Sequence, residues 1–169
     1  MLLPLSLLFV GAALLLNGLW MTGRIADREV IVINLTTAAI TGTVALLSLV
    51  RAATVEDVRG VAMTLLFSVT YLWVAMNRVT GSDGRGLGWF SLFVALSVLP
   101  EACRSYAAAT TVLETWLALC WFSWAGLWFM YFMALALQRP IQAQTALATM
   151  IAGVITAWSP ALYMMHNQP

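Results

Sequence analysis

Three tryptophans share one face of a hydrophobic segment in the last third of the chain. Trp121, Trp124 and Trp128 are spaced i, i+3 and i+7, so a helix points their indoles in similar directions. Indoles form a stiff, smooth wall with N–H donors and nothing that retains an ion. The stripe therefore indicates either a wall along which a small, planar, neutral solute passes or a helix-packing surface. The residues alone leave both interpretations open.

Two other hydrophobic segments repeat this helical spacing. The positions are Leu7, Val10, Leu14 and Asn17 in the first segment, and Phe67 and Tyr71 in a later one. A phenol deep in a hydrophobic segment requires a hydrogen-bond partner or a path for water. These stripes are therefore further candidate walls of a passage.

Three asparagines, Asn17, Asn34 and Asn77, fall near the same end of their segments. A polar side chain in hydrocarbon is expensive unless it faces the protein interior. One interpretation is that these amides cross-link helices through hydrogen bonds. The other is a polar vestibule that matches an amide-like solute.

The acidic residues mostly have structural explanations. Two Thr-x-x-acid motifs, which begin at Thr54 and Thr111, have the spacing of capping boxes at helix starts. Glu101 precedes Arg104 by three residues, which predicts an ion pair, with a carboxylate at a channel mouth as the alternative. No acid lies in the middle of any other hydrophobic segment, which disfavours a pump driven by protons or sodium ions.

The inventory of reactive side chains excludes several classes of function. One His and two Cys predict neither a metal centre nor a haem, so we expect no cofactor. The sequence shows no Ser–His–Asp or similar nucleophile–base arrangement, so we expect no enzyme. A nucleic-acid partner is excluded because the net charge is +1 and all eight basic residues are scattered arginines.

The composition is that of an integral membrane protein. Hydrophobic residues make up 62% of the 169 residues, charged residues make up 9%, and the mean hydropathy is +0.91, whereas a soluble domain has about 25% charged residues. A helix of about 20 apolar residues crosses the hydrocarbon core, and the segments are too long and too uniformly apolar for barrel strands. We predict an all-α membrane protein, one domain over residues 1–169, with helices at about 2–21, 30–50, 59–78, 87–106, 112–137 and 141–165.

Short loops join these helices into three predicted hairpins, formed by helices 1–2, 3–4 and 5–6. The loops within the hairpins carry five arginines, and the loops between the hairpins carry three. Positively charged residues are enriched in cytoplasmic loops. We therefore expect the five-arginine side to be cytoplasmic and both termini to be extracytoplasmic.

Five stretches of the sequence resemble the AmiS/UreI family of urea and amide channels. They occur in family order at residues 9–18, 65–77, 88–95, 121–128 and 156–160. The resemblance implies a passive channel for urea or short-chain aliphatic amides in the bacterial inner membrane, which supplies a cytoplasmic amidase or urease. It also implies a twisted six-helix bundle that assembles as a homohexameric ring around membrane lipid, with one pore in each protomer.

The family's pore positions match residues of the stripes described above. They correspond here to Leu7, Val10, Leu14, Asn17, Phe67, Tyr71, Trp121, Trp124, Leu127 and Trp128. Asn77 is added to this predicted path because it belongs to the asparagine pattern described above. Glu101 is the candidate residue at the channel mouth.

Two features depart from the acid-gated members of the family. Those members have a long, His-containing loop between helices 2 and 3 and a carboxylate in helix 6. Here the loop covers only about residues 51–58 and lacks His, and the matching position in helix 6 is Ala152. The chain thus resembles the short branch associated with aliphatic amidase operons, which implies little gating by protons. An ion-coupled amide transporter and a structural or sensory membrane protein stay open as alternatives.

The predicted orientation is testable with fusions. A reporter that is active only outside the cytoplasm should be active when it is fused to the C-terminus, because the arginine bias places both termini outside. A cytoplasmic reporter at the same position is the matched control. Activity of the cytoplasmic reporter alone would contradict the orientation.

Overall fold

The computed structural model describes residues 2–167, so Met1, Gln168 and Pro169 of the predicted domain lie outside the described residues. Within that range, six helices are long and apolar enough to cross a membrane, as the sequence predicts. Their bounds are α1 Leu2–Met21, α2 Val30–Val50, α3 Val55–Thr80, α4 Arg85–Ala108, α5 Val112–Ala136 and α6 Gln142–Asn167.

Both predicted capping boxes are present and begin α3 and α5. Thr54 Oγ1 accepts the N–H of Asp57 at 3.1 Å, and the Asp57 carboxylate accepts the N–H of Thr54 at 2.9 Å. Thr111 and Glu114 repeat this arrangement. Each pair satisfies N–H groups that the first turn of a helix leaves without partners.

Helix α3 therefore begins at Val55, four residues before the position of about 59 that the hydrophobic pattern predicts. Its acidic residues lie within the first turn of the helix rather than before it, where carboxylates interact favourably with the helix dipole. The remaining differences from the predicted bounds are one or two residues, such as 85–108 against 87–106 for α4.

The most extensive packing joins α2 to α3, α4 to α5 and α1 to α6, whereas α3–α4 and α5–α6 pack less closely. The loops between the first two pairs are short, at residues 51–54 and 109–111. The predicted hairpins 1–2, 3–4 and 5–6 are thus consecutive in the chain, but the most extensive packing is across the two loops between the hairpins and between the first and last helices. This arrangement leaves space between α1, α3 and α5 in the interior of the bundle.

Glycines allow α1 and α6 to approach each other closely. A Cβ on Gly11 would lie 2.9 Å from the backbone nitrogen of Trp158, and a Cβ on Gly153 would lie 3.0 Å from Leu14 Cβ. Small residues are the common solution for close helix packing in lipid, where van der Waals contact replaces the hydrophobic effect between helices.

Two helices contain π-helical turns, at Phe132–Ala136 near the end of α5 and at Gly153–Trp158 within α6. The second turn directly precedes Ser159 and Pro160. Proline lacks an N–H, and its ring clashes with the carbonyl four residues earlier, so a regular α-helix is strained at this point. The wider π turn relieves this crowding without breaking the helix.

The π turn of α5 packs against a glycine of α4, which generates a stability prediction. A Cβ on Gly88 would lie 2.5 Å from the backbone nitrogen of Ala136, so Gly88→Ala should destabilise the protein by about 1–3 kcal/mol through overpacking. The matched control is Gly126→Ala, whose Cβ would meet nothing within 4 Å and which should stabilise α5 by up to about 1 kcal/mol. Melting temperatures in detergent would measure both effects, and equal melting temperatures for the two variants would contradict the close packing.

Candidate functional site

Three cavities lie along the interior of the bundle. The first vestibule, of about 540 Å³, lies at the end where α1 begins and includes Leu7, Glu56 and Trp121 in its lining. The central cavity, of about 40 Å³, is lined by Tyr71 and Trp128 among others. The second vestibule, of about 400 Å³, lies at the end where α1 finishes.

Shared lining residues show that the cavities follow one another. Val10, Phe67 and Trp124 line both the first vestibule and the central cavity. Four residues line both the central cavity and the second vestibule, namely Asn17, Val74, Leu87 and Tyr131. The described residues therefore form a line of three adjoining spaces.

The tryptophan stripe of α5 faces a single phenylalanine of α3. The ring centroid of Phe67 lies 5.7 Å from that of Trp121, 5.2 Å from that of Trp124 and 4.6 Å from that of Trp128. Tilted and edge-to-face aromatic contacts at these distances are favourable. The stripe is thus both a packing surface and a cavity wall, and the two interpretations from the sequence are not exclusive.

Hydrogen bonds from α6 hold two aromatic side chains of α5. Trp124 Nε1 donates to Thr156 Oγ1 at 2.8 Å, and the hydroxyls of Tyr131 and Thr149 lie 2.8 Å apart. The indole N–H of Trp124 is therefore already used. The expectation that the stripe offers its N–H groups to a solute is wrong for this tryptophan.

Two polar groups on the wall of the central cavity have no such partner. The Tyr71 hydroxyl and the Trp128 indole make no hydrogen bond within residues 2–167, although both side chains are buried. The lining of this cavity includes no charged residue among those described. The wall therefore combines apolar surface with a few neutral groups that are free to hydrogen-bond.

The eleven residues predicted to form a path all line at least one of the cavities. Glu101, the candidate mouth residue, lines none of them. Its carboxylate instead pairs with Arg104 at 2.6 Å, and Arg104 also reaches Glu56 at 3.2 Å. The predicted ion pair is thus present, and through Arg104 it connects the end of α4 to Glu56 at the start of α3, which lines the first vestibule.

The threonines that support the aromatic side chains are not among the residues predicted from the sequence. Thr149 and Thr156 are buried and belong to a row on α6 that also includes Thr145 and Ala152. This row has the spacing i, i+4, i+7 and i+11, which is one face of a helix. The signal was therefore present, but threonines are so common in this chain that the row does not stand out. Ser91 and Leu87 of α4, which line the central cavity, carry no comparable signal.

A model of AmiS/UreI family transporters matches residues 2–168. The chain belongs to the AmiS/UreI family. It is a multi-pass membrane protein of a family of transporters or channels for small molecules, and the resemblance noted in its sequence is confirmed.

Two relatives and one solved structure illustrate the similarity. The chain is 38% identical over 167 residues to a Mycolicibacterium smegmatis protein named as a transporter of amidate substrates. The aligned region covers 96% of this chain and 76% of that protein. It is 36% identical over 117 residues to the acid-activated urea channel of Helicobacter pylori. This alignment covers 63% of this chain and 60% of that channel. The crystal structure of the Helicobacter pylori urea channel matches with a TM-score of 0.86 at 31% identity, which covers 98% of this chain and 97% of that chain.

The loop and the α6 position at which the sequence departs from the acid-gated pattern both lie within the described residues. The loop between α2 and α3 consists of residues 51–54, and it contains no His. Ala152 is buried in α6, and its carbonyl accepts a hydrogen bond from Thr156 Oγ1 at 2.6 Å. The loop thus contributes Arg51 to the lining of the first vestibule, whereas Ala152 has no titratable side chain.

The support from α6 generates a prediction for Thr156. Thr156→Val keeps the shape of the side chain but leaves the buried Trp124 N–H without a partner, which should cost about 1–3 kcal/mol. Thr156→Ser retains the hydroxyl and is the matched control. Thermal unfolding in detergent should show a larger loss for the valine variant, and a larger loss for the serine variant would indicate that methyl packing, and not the hydrogen bond, holds Trp124.

Proposed function

We propose that this protein is a passive channel for urea or short-chain aliphatic amides, and that it performs no chemistry on them. The observation that carries the proposal is the central cavity of about 40 Å³, which lies between two larger vestibules and has a neutral, largely aromatic and aliphatic wall. The names of its relatives, a urea channel and a transporter of amidate substrates, support the same class of solute.

The size of the central cavity favours a small solute. A single water molecule requires about 10–15 Å³ by this measure, so the space holds about three water-sized groups. Urea and acetamide, with four heavy atoms each, fit this size after small side-chain rotations. Larger amides would have to displace Phe67 or Trp128 from their mutual contact.

The neutral wall favours uncharged solutes over ions. An ion would lose its hydration in this cavity without gaining an opposite charge, and this cost is large. An amide loses only a few hydrogen bonds, some of which Tyr71 and Trp128 replace. Conduction requires that a solute binds strongly enough to enter and weakly enough to leave, which a few single hydrogen bonds provide.

The remaining parts of the proposal concern placement and assembly. The first vestibule faces the outside of a bacterial inner membrane, with both termini extracytoplasmic, in agreement with the arginine bias. Protomers form a homohexamer in which each has its own path, and exposed apolar side chains such as Phe93, Leu96 and Ile155 contact lipid or neighbouring protomers. The solute then supplies a cytoplasmic amidase or urease.

Stopped-flow light scattering of proteoliposomes tests the function. Vesicles that contain the protein should shrink in hypertonic urea or acetamide and then recover volume faster than empty vesicles, and an uncoupler should not change the rate. Uptake against a gradient that the uncoupler abolishes would indicate a coupled transporter. Recovery no faster than in empty vesicles for the whole solute series would contradict the channel.

Substitutions in the central cavity should change transport. Tyr71→Phe removes an unpaired hydroxyl from the path and should lower amide flux about fivefold, because a solute group without a partner costs about 1–3 kcal/mol. Trp128→Ala should widen the cavity and admit larger amides. The control is Trp73→Phe, since Trp73 packs against Phe90 at 5.4 Å and lines none of the three cavities. Loss of flux only in the control would contradict this path.

Flux should depend weakly on pH. Carboxylates and histidines are the groups that titrate near neutral pH when perturbed, and the central cavity has none among the described residues. We expect flux to change less than about threefold between pH 5 and pH 7. Steep activation by acid in the same vesicles would contradict this expectation and assign a gate to Glu56 or Asp57, which line the first vestibule.

A further inference from the structure

We propose that Asn34, which lines none of the three cavities, orients the amide of Asn17 and thereby sets the hydrogen bonds that a passing solute can make. The proposal rests on the proposed function for its transport consequence. Its geometric part concerns two side chains whose contacts are independent of any solute. Asn34 is in this sense a positioning residue that acts through Asn17.

The two amides form a reciprocal pair between α1 and α2. Asn17 Nδ2 donates to Asn34 Oδ1 at 3.0 Å, and Asn34 Nδ2 donates to Asn17 Oδ1 at 2.7 Å. The side chain of Asn34 is fully buried and that of Asn17 is 5% exposed. Each amide therefore uses one donor and one acceptor position on the other.

A backbone carbonyl determines which way the pair points. Asn34 Nδ2 also donates to the carbonyl of Val30 at 2.8 Å, and a carbonyl oxygen accepts only from a donor. Rotating the Asn34 amide by 180° would place Oδ1 against the Val30 carbonyl oxygen. Both oxygens are acceptors, so no hydrogen bond could form between them. The orientation of Asn34 thus follows from the α2 backbone, and the orientation of Asn17 follows from Asn34.

Asn34 uses three of its four hydrogen-bonding positions, whereas Asn17 uses two. Both N–H groups of Asn34 have partners, whereas Asn17 keeps one N–H and one lone pair free of hydrogen bonds within residues 2–167. Asn17 lies at the boundary shared by the central cavity and the second vestibule. It therefore presents a fixed donor and a fixed acceptor to an amide, which needs both.

Thr37 provides a matched control for a merely structural role. It lies one turn from Asn34 on α2, is equally buried, and donates to the carbonyl of Phe9 on α1 at 3.2 Å. It lines none of the cavities. If the asparagine pair only fastens α1 to α2, then Thr37→Val and Asn34→Leu should have similar effects on transport.

A double-mutant cycle in proteoliposomes tests whether Asn34 acts through Asn17. Asn34→Leu should lower urea flux about fivefold, since it leaves the Asn17 amide free to rotate and without its partner, whereas Thr37→Val should change flux less than about twofold. In the Asn17→Ala background, Asn34→Leu should have almost no further effect. Equal effects of Asn34→Leu in both backgrounds, or an effect of Thr37→Val as large as that of Asn34→Leu, would overturn the proposal.

Nuclear magnetic resonance of the unmodified protein provides a second test. It requires no transport measurement and does not depend on whether a variant folds. The chain has four asparagines, so selective ¹⁵N labelling of their side chains gives a simple spectrum. Both amide protons of Asn34 and one of Asn17 should exchange slowly, and urea should shift only the second proton of Asn17. Rapid exchange of all four side-chain amide protons of Asn17 and Asn34 would overturn the proposed orientation. If the protons exchange slowly but the protein conducts no amide, the orientation stands and only the proposed function is refuted.

Discussion

A polar side chain inside a hydrocarbon layer is stable only when another polar group or a water-filled space faces it. This constraint organises the bundle. The buried threonines of α2 and α6, and Asn34 of α2, point inward, where they bond to backbone carbonyls, to the amide of Asn17, or to aromatic side chains of α5. The interior of the bundle therefore contains two kinds of side chain. Aromatic and aliphatic side chains form the cavity walls, and small polar side chains hydrogen-bond to some of these and fix their orientation.

The same constraint explains why so few polar groups remain unpaired on the path. Trp124 and Tyr131 are tied to α6, and Asn17 is half used by Asn34, so their orientations are set before any solute arrives. Preorganised groups lose little entropy when they bind a ligand. A wall with fixed single donors and acceptors gives discrimination among neutral solutes without deep binding, which suits rapid passage.

The lengths of the apolar segments were enough to predict the six helices. Helical spacing, together with the family resemblance, identified eleven of the side chains that line the cavities, because a wall built from helices must repeat with the helical period. It was not enough for Glu101, whose position near Arg104 fits both a mouth and an ion pair; the geometry of neighbouring helices decides for the pair. The start of α3 was misplaced because charge was treated as the end of a span, whereas the capping box extends the helix through its acidic turn. The partners Thr149 and Thr156 depend on contacts between helices distant in sequence, which periodicity within one helix does not contain.

The π turn within α6 has a consequence for the register of the helix. A π turn holds one more residue than an α turn over about the same rotation, so the α-helical segments before and after Gly153–Trp158 keep the same faces toward their neighbours. Deleting one residue from a regular α-helix rotates everything after it by about 100°, whereas deleting one residue within the π turn would mainly close that turn. The closed turn would then restore the crowding between Pro160 and the carbonyl four residues earlier. The extra residue therefore keeps Pro160 inside a continuous helix without changing which side of α6 faces α1 and α5.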